Sequence, residues 1–250
     1  MPKNFSVTRN GVVLDPSLYN WDEKTKTFST NESGLVIDFR DWDDVTFKVG
    51  DDCTFKTGSR CTFDTGYGCT FKTEDSCTFS TGYGCTFTTG SECTFITGYG
   101  CTFTTGYGCT FKTGYGCNFD TGSRCTFDTG FDCTFKVGDD CTFTTGWGCT
   151  FDTGPFCTFD TGNSCTFTTC WGCTFKTSYD CTFTTGSDCV IVRRDVFEII
   201  QTEPKVTIKL NEFEVKGYKV VEKKHVITVD GKDIELSEES FNNLKNQLCS

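Results

Sequence analysis

Apolar and polar positions alternate with period two in short bursts, and the bursts recur every eight residues. From Cys53 to Cys189 the unit reads Cys-Thr-Phe-x-Thr-Gly-x-x, as in Cys101-Thr102-Phe103-Thr104-Thr105-Gly106-Tyr107-Gly108. Alternation in Cys-Thr-Phe-x-Thr predicts a half-buried strand, since Thr and Phe favour strands and period two sends neighbours to opposite faces. The sixth-position Gly is read as the residue that supplies the unusual backbone angles of a turn. Glu74, Cys170 and Ser178 replace it and mark locally different corners. An eight-residue strand and turn cannot bury its own apolar face, so copies must stack. The expected fold is an all-β, parallel β-solenoid.

The seventh position sets the size of one coil. Every sixteenth residue from Asp51 reads Asp51, Tyr67, Tyr83, Tyr99, Tyr115, Phe131, Trp147, Asn163, Tyr179. The interleaved series reads Ser59, Asp75, Ser91, Tyr107, Ser123, Asp139, Pro155, Trp171, Ser187. Aromatic residues concentrate in the first series, so each coil is expected to hold two octapeptides: sixteen residues, two strands, two sheets face to face. Residues 37–192 then give about ten coils and a rod roughly 45–50 Å long, at ~4.8 Å per coil. Ile37 and Val45 stand where the first-position Cys would fall, which marks that position as a buried apolar slot. Phe fills the third position at every unit from Phe39 to Phe183. Cys and Phe are expected inside, the second-position Thr and the variable fourth position outside. Across the two sheets, Cys could face Phe or face Cys.

The flanks are compositionally different. Residues 1–36 hold Val12, Val13, Leu14, Trp21 and Leu35 and are expected to cap the first coil. Residues 193–250 are expected to form a second cap. Its strands fall at 196–201, 206–210, 213–221, 225–229 and 234–236, with a hairpin turn at Asp230-Gly231 and a final helix starting at Ser237. Arg193 and Arg194 close the repeat and are expected to pair with nearby acids. His225, the one histidine, falls in a strand and is read as a packing or surface residue.

Composition narrows the function classes. The chain has 26 Phe, 26 Gly, 20 Cys and no Ala, and every Leu lies outside 36–209. That excludes a helical bundle or an α/β core for the array. A formal charge of −11 argues against a general nucleic-acid binder. No long apolar run predicts a membrane span, and Met1-Pro2-Lys3-Asn4-Phe5 shows no secretion signal, so a cytoplasmic location is expected. In that setting the repeat cysteines are expected buried and reduced. A disulfide ladder of pairs such as Cys53–Cys61, leaving Cys170 and Cys249, is the alternative. A metal-thiolate column is disfavoured, because metal sites need converging ligands and not an evenly spaced row. Calcium at Asp139-Asp140 or at Asp41, Asp43 and Asp44 would be at most local, since no Asp recurs at a fixed corner position. No catalytic residue and no cofactor are expected.

Three surface features remain as candidates. The aromatic edge of Tyr67, Tyr83, Tyr99, Tyr115, Phe131 and Trp147 is either a reinforcing ladder or an adhesive strip whose partner is a second copy of the chain. The outward threonines, for example Thr86, Thr94, Thr102 and Thr110, could form files of the kind ice-binding surfaces display. Charged fourth positions such as Lys56, Asp64 and Lys72 argue against that use. Cys170, in place of a corner glycine, is a candidate exposed thiol. A receptor- or carbohydrate-binding solenoid is a further alternative, though no loop inside the array exceeds the repeat.

The Cys-Thr-Phe-x-Thr-Gly array followed by Cys189-Val190-Ile191-Val192-Arg193-Arg194-Asp195-Val196 resembles uncharacterised octapeptide-repeat proteins of large DNA viruses of algae and protists and of marine phages. The resemblance covers most of the chain. It implies an unassigned role without catalytic residues, in an infected cell or a virion. In style the repeat is also similar to insect antifreeze β-helices, but the unit here has eight residues and a Phe core.

Overall fold

The computed structural model describes residues 4–221, 224–229 and 232–248. Its strands form a two-sided β-solenoid: one sheet of 14 strands, one of 13, with consecutive repeat strands alternating between them. The first sheet carries Thr54–Thr57, Thr70–Lys72, Thr86–Thr88, Thr102–Thr105 and on to Thr182–Thr184; the second carries Thr62–Thr65, Thr78–Ser80, Thr94–Ile96, Thr110–Thr113 and on to Val190–Arg193. Within a sheet the strands are parallel and in register at sixteen residues, Phe103 against Phe119 and Phe111 against Phe127. The sixteen-residue coil read from the seventh position is the observed one.

In-register stacking turns each octapeptide position into a column. The Phe rings of one sheet stack along the rod, as Phe95 on Phe111 at 4.8 Å and 2°. Across the sheets they meet edge to face, as Phe87 and Phe95 at 5.2 Å and 76°. Both geometries suit the ring quadrupole, whose positive edge meets a negative face. The rings are sealed from solvent along the array.

Phe therefore faces Phe, and neither cross-sheet arrangement expected for Cys holds. Successive strands run in opposite directions on opposite sheets. Each Cys begins its strand at a corner, where it meets the fifth-position Thr of the preceding strand, as Thr177 Oγ1 meets Cys181 Sγ at 3.1 Å. Cys53 and Cys61 consequently lie at opposite edges with the Phe columns between them. The 19 cysteines among the described residues are free thiols, and Cys249 lies outside those residues. The thiols donate weakly to corner carbonyls, as Cys101 Sγ does to Gly82 O one coil below and to Tyr99 O, both at 3.7 Å.

The glycine reading needs a different cause. The sixth-position Gly is not in the left-handed region. A Cβ on Gly114 would lie 3.0–3.1 Å from Tyr99 N, Gly98 C and Tyr99 Cα, the backbone of the corner below. Close stacking of corners, not φ, demands glycine there. The left-handed residue is the eighth, at φ of 64–67° in Gly68, Gly84, Gly100 and Gly116, and with Arg60, Ser76, Glu92 or Asp140 elsewhere.

The N-terminal register also departs from the sequence reading. Strand Val36–Phe39 pairs so that Ile37 lies beside Phe55 and Phe39 beside Thr57. Ile37 thus fills the Phe column, Leu35 fills the Cys slot through its carbonyl bond to Thr54 N, and Phe39 occupies the Thr column. Val45 does occupy a Cys slot, as its carbonyl accepts from Thr62 N. Two extra residues in the corner at 40–44 make up the difference. Parallel stacking also starts earlier than the repeat, with Thr27–Thr30 beside Thr46–Val49.

Both ends reverse direction. Ser6–Arg9 runs antiparallel on Val36–Phe39, and Phe5, Trp21, Phe28 and Trp42 surround Phe39. At the other end Glu198–Gln201 and Thr207–Leu210 run antiparallel on the last coils. Arg193 is fully buried. It pairs with Asp195 at 2.5 Å and donates to Val215 O and Gly217 O at 2.7 and 3.2 Å. Arg194 pairs with Asp160 at 2.6 Å. The expected strand at 213–221 shortens to Tyr218–Val220. Lys224–Val229, which includes His225, pairs with Lys232–Ser237, and the helix Glu238–Leu248 packs on this hairpin. Asp230 and Gly231 lie outside the described residues.

Phe111→Ala is expected to cost about 3–5 kcal/mol in urea unfolding, from lost burial and an unfilled cavity. Gly114→Ala should cost about 1–3 kcal/mol, because the coil below must shift to admit the methyl.

Candidate functional site

The six aromatic candidates come together as one ladder on a single edge. Each sits in the corner that carries the chain from the second sheet to the first. Corner backbones are bonded from coil to coil: Gly82 N donates to Gly66 O at 3.0 Å, Gly98 N to Gly82 O at 3.1 Å, and Gly114 N to Gly98 O at 3.1 Å. This backbone stack holds the side chains at nearly one repeat distance. Tyr67 and Tyr83 stack at 5.1 Å, Tyr83 and Tyr99 at 4.9 Å, Tyr99 and Tyr115 at 4.9 Å. Phe131 follows at 4.8 Å and Trp147 at 4.7 Å. All five steps are within 4° of parallel.

Five of the rings remain open to solvent on their outer side, from 40% exposure at Tyr67 to 49% at Trp147, and Phe131 is half-buried between Tyr115 and Trp147. The strip runs roughly 25 Å, five coil steps. Asp51 bounds one end; its Oδ1 accepts from Tyr67 N at 3.2 Å. The negative charges of Asp51 and Asp52 hold the Tyr67 phenol above its ordinary pKa. Asn163 interrupts the series at the other end. Tyr179, beyond that gap, meets Phe213 of the C-terminal segment edge to face at 5.3 Å.

The opposite edge is of another kind. Its seventh positions hold Tyr107 between Ser91 and Ser123, with the polar corner bonds Ser91 N to Asp75 Oδ1 at 2.8 Å and Asp139 N to Ser123 Oγ at 3.0 Å. Here Asp75 and Ser123 are the corner acceptors.

The threonine candidates fall in two files, one on each sheet. Thr86 and Thr102 pair on the first sheet; Thr94 and Thr110 pair on the second, facing the other way. Thr88 and Thr104 extend the first pair, but the next residue in that column is Asp120. Ile96 and Lys112 flank the second pair.

Cys170 is the exposed thiol among the described residues. It occupies a corner on the edge opposite the ladder, beside Trp171, which meets Phe156 at 4.4 Å. The repeat thiols are at most 1% exposed, and burial pushes Cys53 up to about 11. No group of three or more His, Cys, Asp or Glu among the described residues is arranged to hold a metal ion. No described helix is long and apolar enough to cross a membrane.

No protein-family model matches the chain, and no curated protein or solved structure matches it either. The functional reading therefore rests on the geometry.

Iodoacetamide labelling of the folded protein, read by peptide mass, should modify Cys170 well before any repeat cysteine. Equal rates for Cys170 and Cys101 would show that the coils open freely. Cys170→Ser should leave the repeat segment unlabelled until denaturant is added.

Proposed function

We propose that the protein is a non-enzymatic scaffold, a rigid rod that pairs side by side with a second copy through its aromatic ladder. One observation carries this reading: six parallel, stacked rings in an unbroken row, five of them exposed to solvent. Packing inside the rod does not require them, since the same corner on the opposite edge carries Ser or Asp in six of the nine coils from Ser59 to Ser187. Six rings at these exposures offer on the order of 500 Å² per copy, so a pair would bury about 1,000 Å², the lower limit for a specific interface.

A two-fold axis between Tyr99 and Tyr115 makes the contact self-complementary. Tyr67 then meets Trp147 of the second copy, Tyr83 meets Phe131, and Tyr99 meets Tyr115. The net charge of −11 opposes random association and leaves the uncharged strip as the favoured contact. The uniform repeat supplies Thr, Phe and Cys to every coil and no irregular loop that could carry catalytic carboxylates between Cys53 and Cys189. The octapeptide resemblance supports the same non-catalytic reading. A cytoplasmic setting fits the burial of free thiols. The second-position threonines do run in register, from Thr46 to Thr174 on the second sheet, but the fourth-position column beside them carries Lys48, Asp64, Lys112 and Asp128, and ice binding gains no support from a face so charged.

Light scattering on a sizing column tests the proposal. The wild-type chain should give a concentration-dependent mass approaching twice 27.8 kDa. Tyr99→Ser with Tyr115→Ser should return it to a monomer with unchanged circular dichroism, while Tyr107→Ser on the opposite edge should leave the dimer intact. A wild-type monomer at every concentration, or loss of the dimer in Tyr107→Ser alone, would refute the adhesive edge.

A further inference from the structure

The outward fourth positions form a charge ladder along each sheet. With one exception, where two charged residues lie beside each other in the parallel coils their signs are opposite: Asp38 and Lys56, Lys48 and Asp64, Lys112 and Asp128, Asp120 and Lys136, Lys136 and Asp152, Asp160 and Lys176. Cross-strand pairing of this kind is stabilising, and like charges side by side are not. One neighbouring pair breaks the rule. Lys56 and Lys72 are in register on adjacent strands of the first sheet. The next two residues of that column are Thr88 and Thr104, so the fold itself accepts a neutral side chain there.

The repulsive pair lies at a concavity of about 280 Å³, lined by Arg40, Lys56, Thr57, Lys72, Thr73 and Glu74. Arg40 opens the corner at 40–44 that carries two extra residues, so the widened corner forms one wall. Among the described residues neither lysine has an ion-pair partner within 4 Å, although Asp38 lies in register beside Lys56. The carboxylates present are engaged: Asp38 accepts two bonds from the Arg40 guanidinium and one from its backbone N–H, and Glu74 Oε2 accepts from Ser59 Oγ at 3.3 Å. The cluster thus sets three cations against two occupied carboxylates in a chain of net charge −11.

We infer that this concavity is an anion site that takes a compact oxyanion, phosphate or sulfate, free or as a terminal monoester. The bound charge would lie against Lys56 and Lys72 and remove their repulsion, with Arg40 closing the side. Glu74 on the rim and Asp120 farther along the same face disfavour an extended polyanion. The inference is independent of pairing through the aromatic ladder, which occupies a different edge.

Thermal unfolding of the full chain in inorganic phosphate, in sulfate and in chloride at matched ionic strength tests it. The wild-type midpoint should rise saturably with phosphate, sulfate or both; a response to phosphate alone identifies a phosphate site. Lys72→Thr should raise the midpoint in chloride, by removing the repulsion, and weaken phosphate binding at least tenfold in titration calorimetry. Lys136→Thr, between Asp120 and Asp152, should keep the wild-type anion response. The same phosphate shift in wild type and Lys72→Thr, an unsaturable shift, or a lower midpoint for Lys72→Thr in chloride would overturn the site.

Discussion

Everything in this molecule depends on the in-register stacking of coils about 4.8 Å apart. Parallel pairing at sixteen residues places each side chain directly over its equivalent in the coil below. A residue type is acceptable only if it tolerates a copy of itself, or a compatible partner, at that spacing. Phenylalanine does so by offset stacking along the sheet and edge-to-face contact across it. Glycine at the sixth position does so by having no Cβ where corners nearly touch. Charged residues do so by alternating in sign, and the one like-charge pair stands out for that reason.

Cysteine fits the same logic. The corner slot is small and dry, and ringed by backbone carbonyls. A thiol fills it as a small hydrophobe that can still donate weakly to those carbonyls. Leu35 and Val45 take the slot at the first coils, where the corners differ. The two thiol columns lie on opposite edges, which rules out pairs such as Cys53–Cys61, and the described thiols are free. The ends are closed by reversal: an antiparallel strand on a parallel stack uses the open hydrogen bonds without templating a further coil.

Much of this was legible in the octapeptide. Alternation gave the strands, and the aromatic bias at Tyr67, Tyr83, Tyr99 and Tyr115 gave the coil length and the ladder together. The misreadings share one physical cause, which is that spacing along the chain does not report register between strands. Phe39 and Phe47 are eight residues apart like every other pair, yet a two-residue slip has moved Phe39 out of its column and put Ile37 in. The sixth-position glycine signals a turn in either reading, while its cause, contact with a residue sixteen positions away, is visible only in the stacked coil. The concavity beside Lys56 and Lys72 needed the widened corner at 40–44, which the regular spacing hid.

The most direct test exchanges the two edges by deletion. Removing 101–108 takes out one octapeptide and transfers every later corner to the opposite edge, so Tyr67, Tyr83 and Tyr99 part from Tyr115, Phe131 and Trp147. Removing 101–116 takes out one whole coil and keeps five rings in one row. Both chains should remain folded by circular dichroism. Light scattering should then find a dimer for the sixteen-residue deletion and a monomer for the eight-residue one. Dimers from both would contradict the ladder as the interface, and unfolding of the eight-residue deletion alone would contradict a coil built from two interchangeable halves.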